Sequence, residues 1–97
     1  MLEANTLKMV VKSIVEHQFA VVGPLALEQA NKVPGLKASD GGNISVEIQN
    51  GDTKTMLTQL VKRYEELFGL ASVEVCRDAV KEVKPSIPQD ELPEILR

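Results

Sequence analysis

The strongest constraint on how this chain folds is Phe19-Ala20-Val21-Val22-Gly23-Pro24-Leu25-Ala26-Leu27, an apolar run broken near its centre by Gly-Pro. Gly ends a helix cheaply because it tolerates positive φ, and Pro has the fixed φ of a first helical residue. The run therefore reads as a tight corner between two helices, made of residues that prefer to be buried. Leu7, Val10, Val11, Ile14, Val21 and Val22 share one side of a helical wheel, so a helix is expected over about 5–22, capped by Asn5 or Thr6. Gly23 is expected in the left-handed αL position. A second, short helix over about 24–32 follows, folding Leu25, Ala26, Leu27 and Ala30 back onto the first and ending at Val33-Pro34-Gly35.

From Leu36 the period shortens. Ile44, Val46 and Ile48 alternate with Ser45 and Glu47, and Asp40-Gly41-Gly42 has turn chemistry, which predicts a hairpin pairing about 36–39 with 43–48. A lone two-stranded hairpin is marginal in water, so either the helices cover one face or a second chain extends the sheet. Asp52 or Thr53 caps a third helix with Met56, Leu57, Leu60, Val61, Tyr64, Leu67 and Phe68 on its apolar arc, stopped by Gly69 at the C′ position. A fourth is expected over about 72–84, capped by Ser72, with Val75, Cys76, Ala79, Val80 and Val83 inward and Lys81 and Lys84 at its negative end. Pro85, Pro88 and Pro93 prevent a long helix in the tail, whose Ile87, Leu92, Ile95 and Leu96 imply docking. The expected fold is a mostly helical α+β single domain over residues 1–97, with an all-α bundle as the alternative.

Composition narrows the function. The 97 residues carry a net charge of −3, which gives no basic field for a phosphate backbone, and their three aromatic side chains (Phe19, Tyr64, Phe68) form no stacking platform. Nucleic acid is therefore not the expected partner. The apolar run is about half the length of a membrane-spanning helix and contains a break, so no membrane partner is expected. Met1-Leu2-Glu3-Ala4 has neither the basic nor the apolar region of an export signal, and the expectation is a cytoplasmic protein. A single cysteine, Cys76, allows no intrachain disulfide and no multi-cysteine metal site.

Candidate chemistry is sparse, and no cofactor or catalytic residue is assigned. His17, at the edge of the first helix's apolar arc, reads as a satisfied or solvent-facing histidine, with phosphotransfer on a helical histidine as the sharp alternative. Cys76 reads as core rather than nucleophile, because Arg77 projects about 100° away from it. Asp40-Gly41-Gly42-Asn43 leads into a strand, whereas a phosphate cradle leads into a helix. Glu65-Glu66 and Asp90-Glu91 read as solvated charge. Gln18 stands out: it falls in the middle of an apolar face, and a buried amide needs a partner. Its readings are a satisfied core group, a polar group setting register in a helix–helix interface, or a ligand contact.

The segment Val22-Gly23-Pro24-Leu25-Ala26, with small Ala30 a turn later, resembles the hydrophobic-Gly-Pro-hydrophobic-Ala segment of a small helical module. That module is appended to bacterial serine/threonine kinases and other signalling proteins, and the resemblance covers about residues 10–31. It implies a regulatory or interaction role without catalysis, in a bacterial cytoplasm. The function expected is thus a non-enzymatic protein-interaction module, associating with a protein partner or itself as a homodimer through Gln18, Phe19, Val22, Leu25, Ile44, Val46 and Ile48. The alternative is a small apolar-ligand-binding domain with its pocket between the Gly-Pro corner and the third helix, near Tyr64 and Gln18.

Overall fold

A computed structural model describes residues 3–49, 52–84 and 86–97. The order of elements is α1 (Ala4–Val22), α2 (Leu25–Ala30), β1 (Leu36–Asp40), β2 (Ile44–Ile48), α3 (Thr53–Phe68) and α4 (Leu70–Lys81), followed by two 3₁₀ turns, Gln89–Glu91 and Glu94–Leu96. This is a small, mostly helical α+β fold, and the hairpin rules out the all-α bundle. Leu7, Val10, Val11, Ile14 and Val15 of α1 form the spine of the core, against which α4, α2 and β2 pack.

The hairpin is antiparallel, pairing Leu36 with Ile48 and Ala38 with Val46 around the loop Gly41-Gly42-Asn43. Its alternation puts Leu36, Ala38, Ile44 and Val46 into the core, while Lys37, Ser39, Ser45 and Glu47 face solvent. Helices α1 and α2 supply the cover that a two-stranded sheet needs. The bond from Gln49 N–H to the Gly35 carbonyl fixes the register, so that the Ala38 backbone faces away from β2. The Asn31 side chain fills that edge, donating to the Ala38 carbonyl at 2.9 Å and accepting from its N–H at 2.8 Å. A single amide thus takes the place of a neighbouring strand.

Several local expectations are corrected. Glu3, not Asn5 or Thr6, precedes α1, and no side chain caps it. The second helix is shorter than 24–32, with Pro24 (φ −58°) as its cap residue. Asp52 caps α3 as expected: its carboxylate accepts from the Thr55 N–H at 3.2 Å and the Thr55 hydroxyl at 2.6 Å. Those bonds, the hydroxyl's first, hold the Asp52 carboxyl below its ordinary range. The fourth helix begins at Leu70, directly after Gly69, and ends at Lys81, leaving Lys84 and Val83 beyond it. Ser72 is therefore not its cap but a buried residue of its first turn, whose hydroxyl donates to the Gly69 carbonyl at 2.7 Å. Val75 is only half-buried, and buried Val73 and Ser72 take its place on the inner face.

Gly23 and Gly69 perform the same task. Each has a positive φ with an extended ψ (70° and −148° for Gly23, 83° and −173° for Gly69), and each donates its N–H to the carbonyl four residues earlier. This is not the αL cap expected from the sequence but a region open essentially to glycine alone. A Cβ at either position would meet nothing within 4 Å, so substitution is resisted by the backbone and not by crowding. Gly23→Ala and Gly69→Ala are each expected to lower unfolding stability in urea by about 1–3 kcal/mol. Gly41→Ala, in open space and without a positive φ, should change it by less than about 0.5 kcal/mol.

Candidate functional site

Two chain reversals, residues 18–26 and 64–72, lie side by side because they are bonded together at both ends. At one end Gln18 Nε2 donates to the Ser72 carbonyl at 2.9 Å, and at the other the Tyr64 hydroxyl donates to the Ala26 carbonyl at 2.8 Å. Gln18 and Tyr64 have no exposed surface, so both polar groups depend on these partners. Between the brackets stand Gly23 and Gly69, each turning one helix into the next.

The outer surface of the paired reversals is apolar. Val21 is 66% exposed, Leu25 44%, Leu67 55% and Leu70 75%, with Phe19, Val22 and Phe68 half-buried beside them. The Phe68 ring stacks on Tyr64, centroids 6.4 Å apart, which anchors it to the core. No charged residue occurs in 18–27 or 67–73, although Glu65 and Glu66 lie within the second reversal and Glu28 and Glu74 flank the two segments, so the pole is apolar at its centre with acidic neighbours. Helix periodicity counted Val21 and Leu67 as inward-facing and left Leu70 unassigned. The structure corrects Val21 and Leu67 and exposes Leu70 with them: each lies within two residues of a helix terminus.

The other residues expected at an interface are placed differently. Ile44 and Val46 are buried, Val46 retaining 2% exposure, and Ile48 is half-buried against the core. The apolar side chains of β2 are therefore packed into the core of the chain itself, and β1 is the one strand paired with β2 among the described residues. The Gln18 amide nitrogen is bonded within the chain, to the Ser72 carbonyl. It also reaches Cys76 Sγ at 3.2 Å, while Gln18 Oε1 is buried without a partner among the described residues.

The expected ligand pocket near Tyr64 and Gln18 is filled. Tyr64, Gln18 and Cys76 pack with no exposed surface, and burial raises the Tyr64 hydroxyl above its ordinary pKa. Clefts open elsewhere: one of about 600 Å³ beside the Val33-Pro34-Gly35 turn and the outer hairpin face, and one of about 270 Å³ between α4 and the C-terminal 3₁₀ turns.

His17 spans two elements. Its Nδ1 lies 2.8 Å from the Ser13 carbonyl and its Nε2 contacts the Glu82 carboxylate, a partner too distant in sequence to anticipate. Ser13 in turn donates to the Ala79 carbonyl at 2.7 Å, so this cluster ties α1 to the end of α4. Both ring nitrogens therefore have partners within the chain. The described residues contain no group of three or more His, Cys, Asp or Glu placed to hold a metal ion. No helix among them is long and apolar enough to cross a membrane.

Burial pushes the Cys76 thiol up to about 11, partly offset by the Gln18 hydrogen bond. A thiolate is the reactive form, so Cys76 should resist an aromatic disulfide reagent at pH 8 until the protein unfolds. The folded pKa lies above the ordinary 9.0, so below pH 9 both states keep the proton; between pH 9 and 11 only the folded state does. Stability is therefore full below pH 9 and falls as pH rises through 11. The loss attributable to Cys76 is about 2–3 kcal/mol. Urea melts across this range should show that decline, reduced in Cys76→Ala.

Comparison with protein-family models, with curated proteins and with solved structures returned no match.

Proposed function

We propose that this chain is a non-enzymatic interaction module that pairs with a second copy of itself through the apolar pole formed by Val21, Leu25, Leu67 and Leu70. The observation that carries this reading is the clustering of four of the large exposed hydrophobic residues on two reversals bonded side by side. At ordinary residue areas their exposed surface amounts to roughly 400 Å², within the range of the largest patch on a typical monomer and often functional. It would form the apolar centre of an interface burying about 800 Å² per partner.

Self-pairing is favoured over a charged partner by the composition of the pole. A protein of net charge −3 repels its own copies wherever acidic groups meet, and the segments 18–27 and 67–73 carry none themselves, with Glu65 and Glu66 left at their border. A two-fold axis through such a patch brings like against like without cost, which is the ordinary geometry of a homodimer. The resemblance of residues 10–31 to the kinase-appended bacterial module supports placing this association in cytoplasmic regulation, with no reaction catalysed by the chain.

Sedimentation equilibrium from about 10 μM to 1 mM, the range of a weak to moderate homodimer, is expected to show reversible dimerisation. Leu70→Glu should raise the dissociation constant at least about tenfold, because a carboxylate at the centre of an apolar contact loses its water. Met9→Glu, an exposed apolar position outside the pole, should leave it unchanged. A wild-type monomer throughout the range, or equal effects of the two substitutions, would overturn the reading.

A further inference from the structure

We infer that the cleft between α4 and the C-terminal 3₁₀ turns is a binding site for a small aliphatic carboxylate. The site lies towards the opposite end of α4 from the apolar pole and does not depend on it. Its floor is core: Val80, Leu92 and Leu96 are buried, with half-buried Ile87 beside them. Its charged lining is cationic throughout, consisting of Arg77, Lys81 and Arg97 with no Asp or Glu.

Two of these cations are already positioned. Arg77 donates through Nε to the Ile95 carbonyl at 3.2 Å and through Nη1 to Glu74 at 2.7 Å, which holds the guanidinium at the rim with Nη2 unspent. Arg97 donates through Nε to the Leu92 carbonyl at 2.9 Å, leaving both of its terminal nitrogens for another acceptor. Lys81 has no hydrogen-bond or ion-pair partner among the described residues. Glu74 already balances Arg77, so Lys81 and Arg97 are the cations of the lining with no ion pair among the described residues, and an anion seated between them gains charge-assisted bonds.

The shape of the site selects the anion. Guanidinium forks match the planar carboxylate, and a floor of Val and Leu favours an alkyl chain over a second polar group. A volume of about 270 Å³ is that of some nine waters at ~30 Å³ each, room for a carboxylate of about six carbons. Held cations and an existing apolar floor mean that little has to be ordered on binding.

The test is a titration of the isotope-labelled whole chain with sodium hexanoate, followed by ¹H–¹⁵N correlation spectra at constant ionic strength. Hexanol serves as the uncharged control and acetate as the chainless one. Saturable shifts are expected at Val80, Lys81, Ile87 and Leu92, with a dissociation constant of about 1 mM or below. Hexanol and acetate should each bind at least fivefold more weakly, about 1 kcal/mol or more. Lys81→Gln, a change at an exposed position, should weaken hexanoate at least threefold without moving the melting temperature. Absence of saturation by about 10 mM hexanoate would overturn the inference. So would hexanol or acetate matching hexanoate, or a Lys81→Gln variant that binds as the wild type does.

Discussion

Two hydrogen bonds from side chains without solvent access, Gln18 to the Ser72 carbonyl and Tyr64 to the Ala26 carbonyl, determine how the four helices can meet. Each buries a polar group that would cost on the order of 1–3 kcal/mol if left unpaired. The relative placement of α1 with α4 and of α2 with α3 is therefore fixed by chemistry as well as by packing. Hydrophobic contact alone would tolerate a range of helix crossings; these two donors accept only the one in which the reversals at Gly23 and Gly69 lie together. The exposed Val21, Leu25, Leu67 and Leu70 follow from that placement, because each lies where its helix has just begun or is about to end.

The same packing closes off the surfaces that compete with this pole. The hairpin spends its apolar face on α1 and α2, and the Asn31 amide occupies the backbone edge at Ala38. The second of these blocks strand addition at the edge of β1. Cys76, buried beside Gln18 with a raised thiol pKa, behaves as a small core residue. His17 ties α1 to Glu82 beyond α4, a structural use of the only histidine. Among the features left at the surface are an apolar pole at one place and a cation-rimmed cleft at another, both suited to binding.

Much of the fold was legible because its signals are local. The period of two at Ile44, Val46 and Ile48, the Asp52 cap and the glycines at 23 and 69 each act within a few residues, and each produced the expected element or break. The errors arose where tertiary context decides. A helical wheel places Val21 and Leu67 on the apolar arc without registering that the neighbouring helix no longer covers that turn. Ser72 has the composition of a cap, yet Gly69 passes the chain into α4 so abruptly that Ser72 is already inside it. The apolar face of strand 44–48 is taken up by α1 lying across it, a contact that the strand's own sequence does not record. Gln18 was identifiable as a polar group in need of a partner, but the partner, a backbone carbonyl 54 residues away, has no sequence signature.

The apolar pole is the surface proposed to meet a second copy. The most direct measurement is a dilution series of ¹H–¹⁵N correlation spectra on the labelled wild-type protein, which reports the contact surface without altering any residue. Concentration-dependent shifts should be confined to residues 18–27 and 65–72. Shifts centred on the hairpin 36–48, or spectra that do not change on dilution, would contradict it.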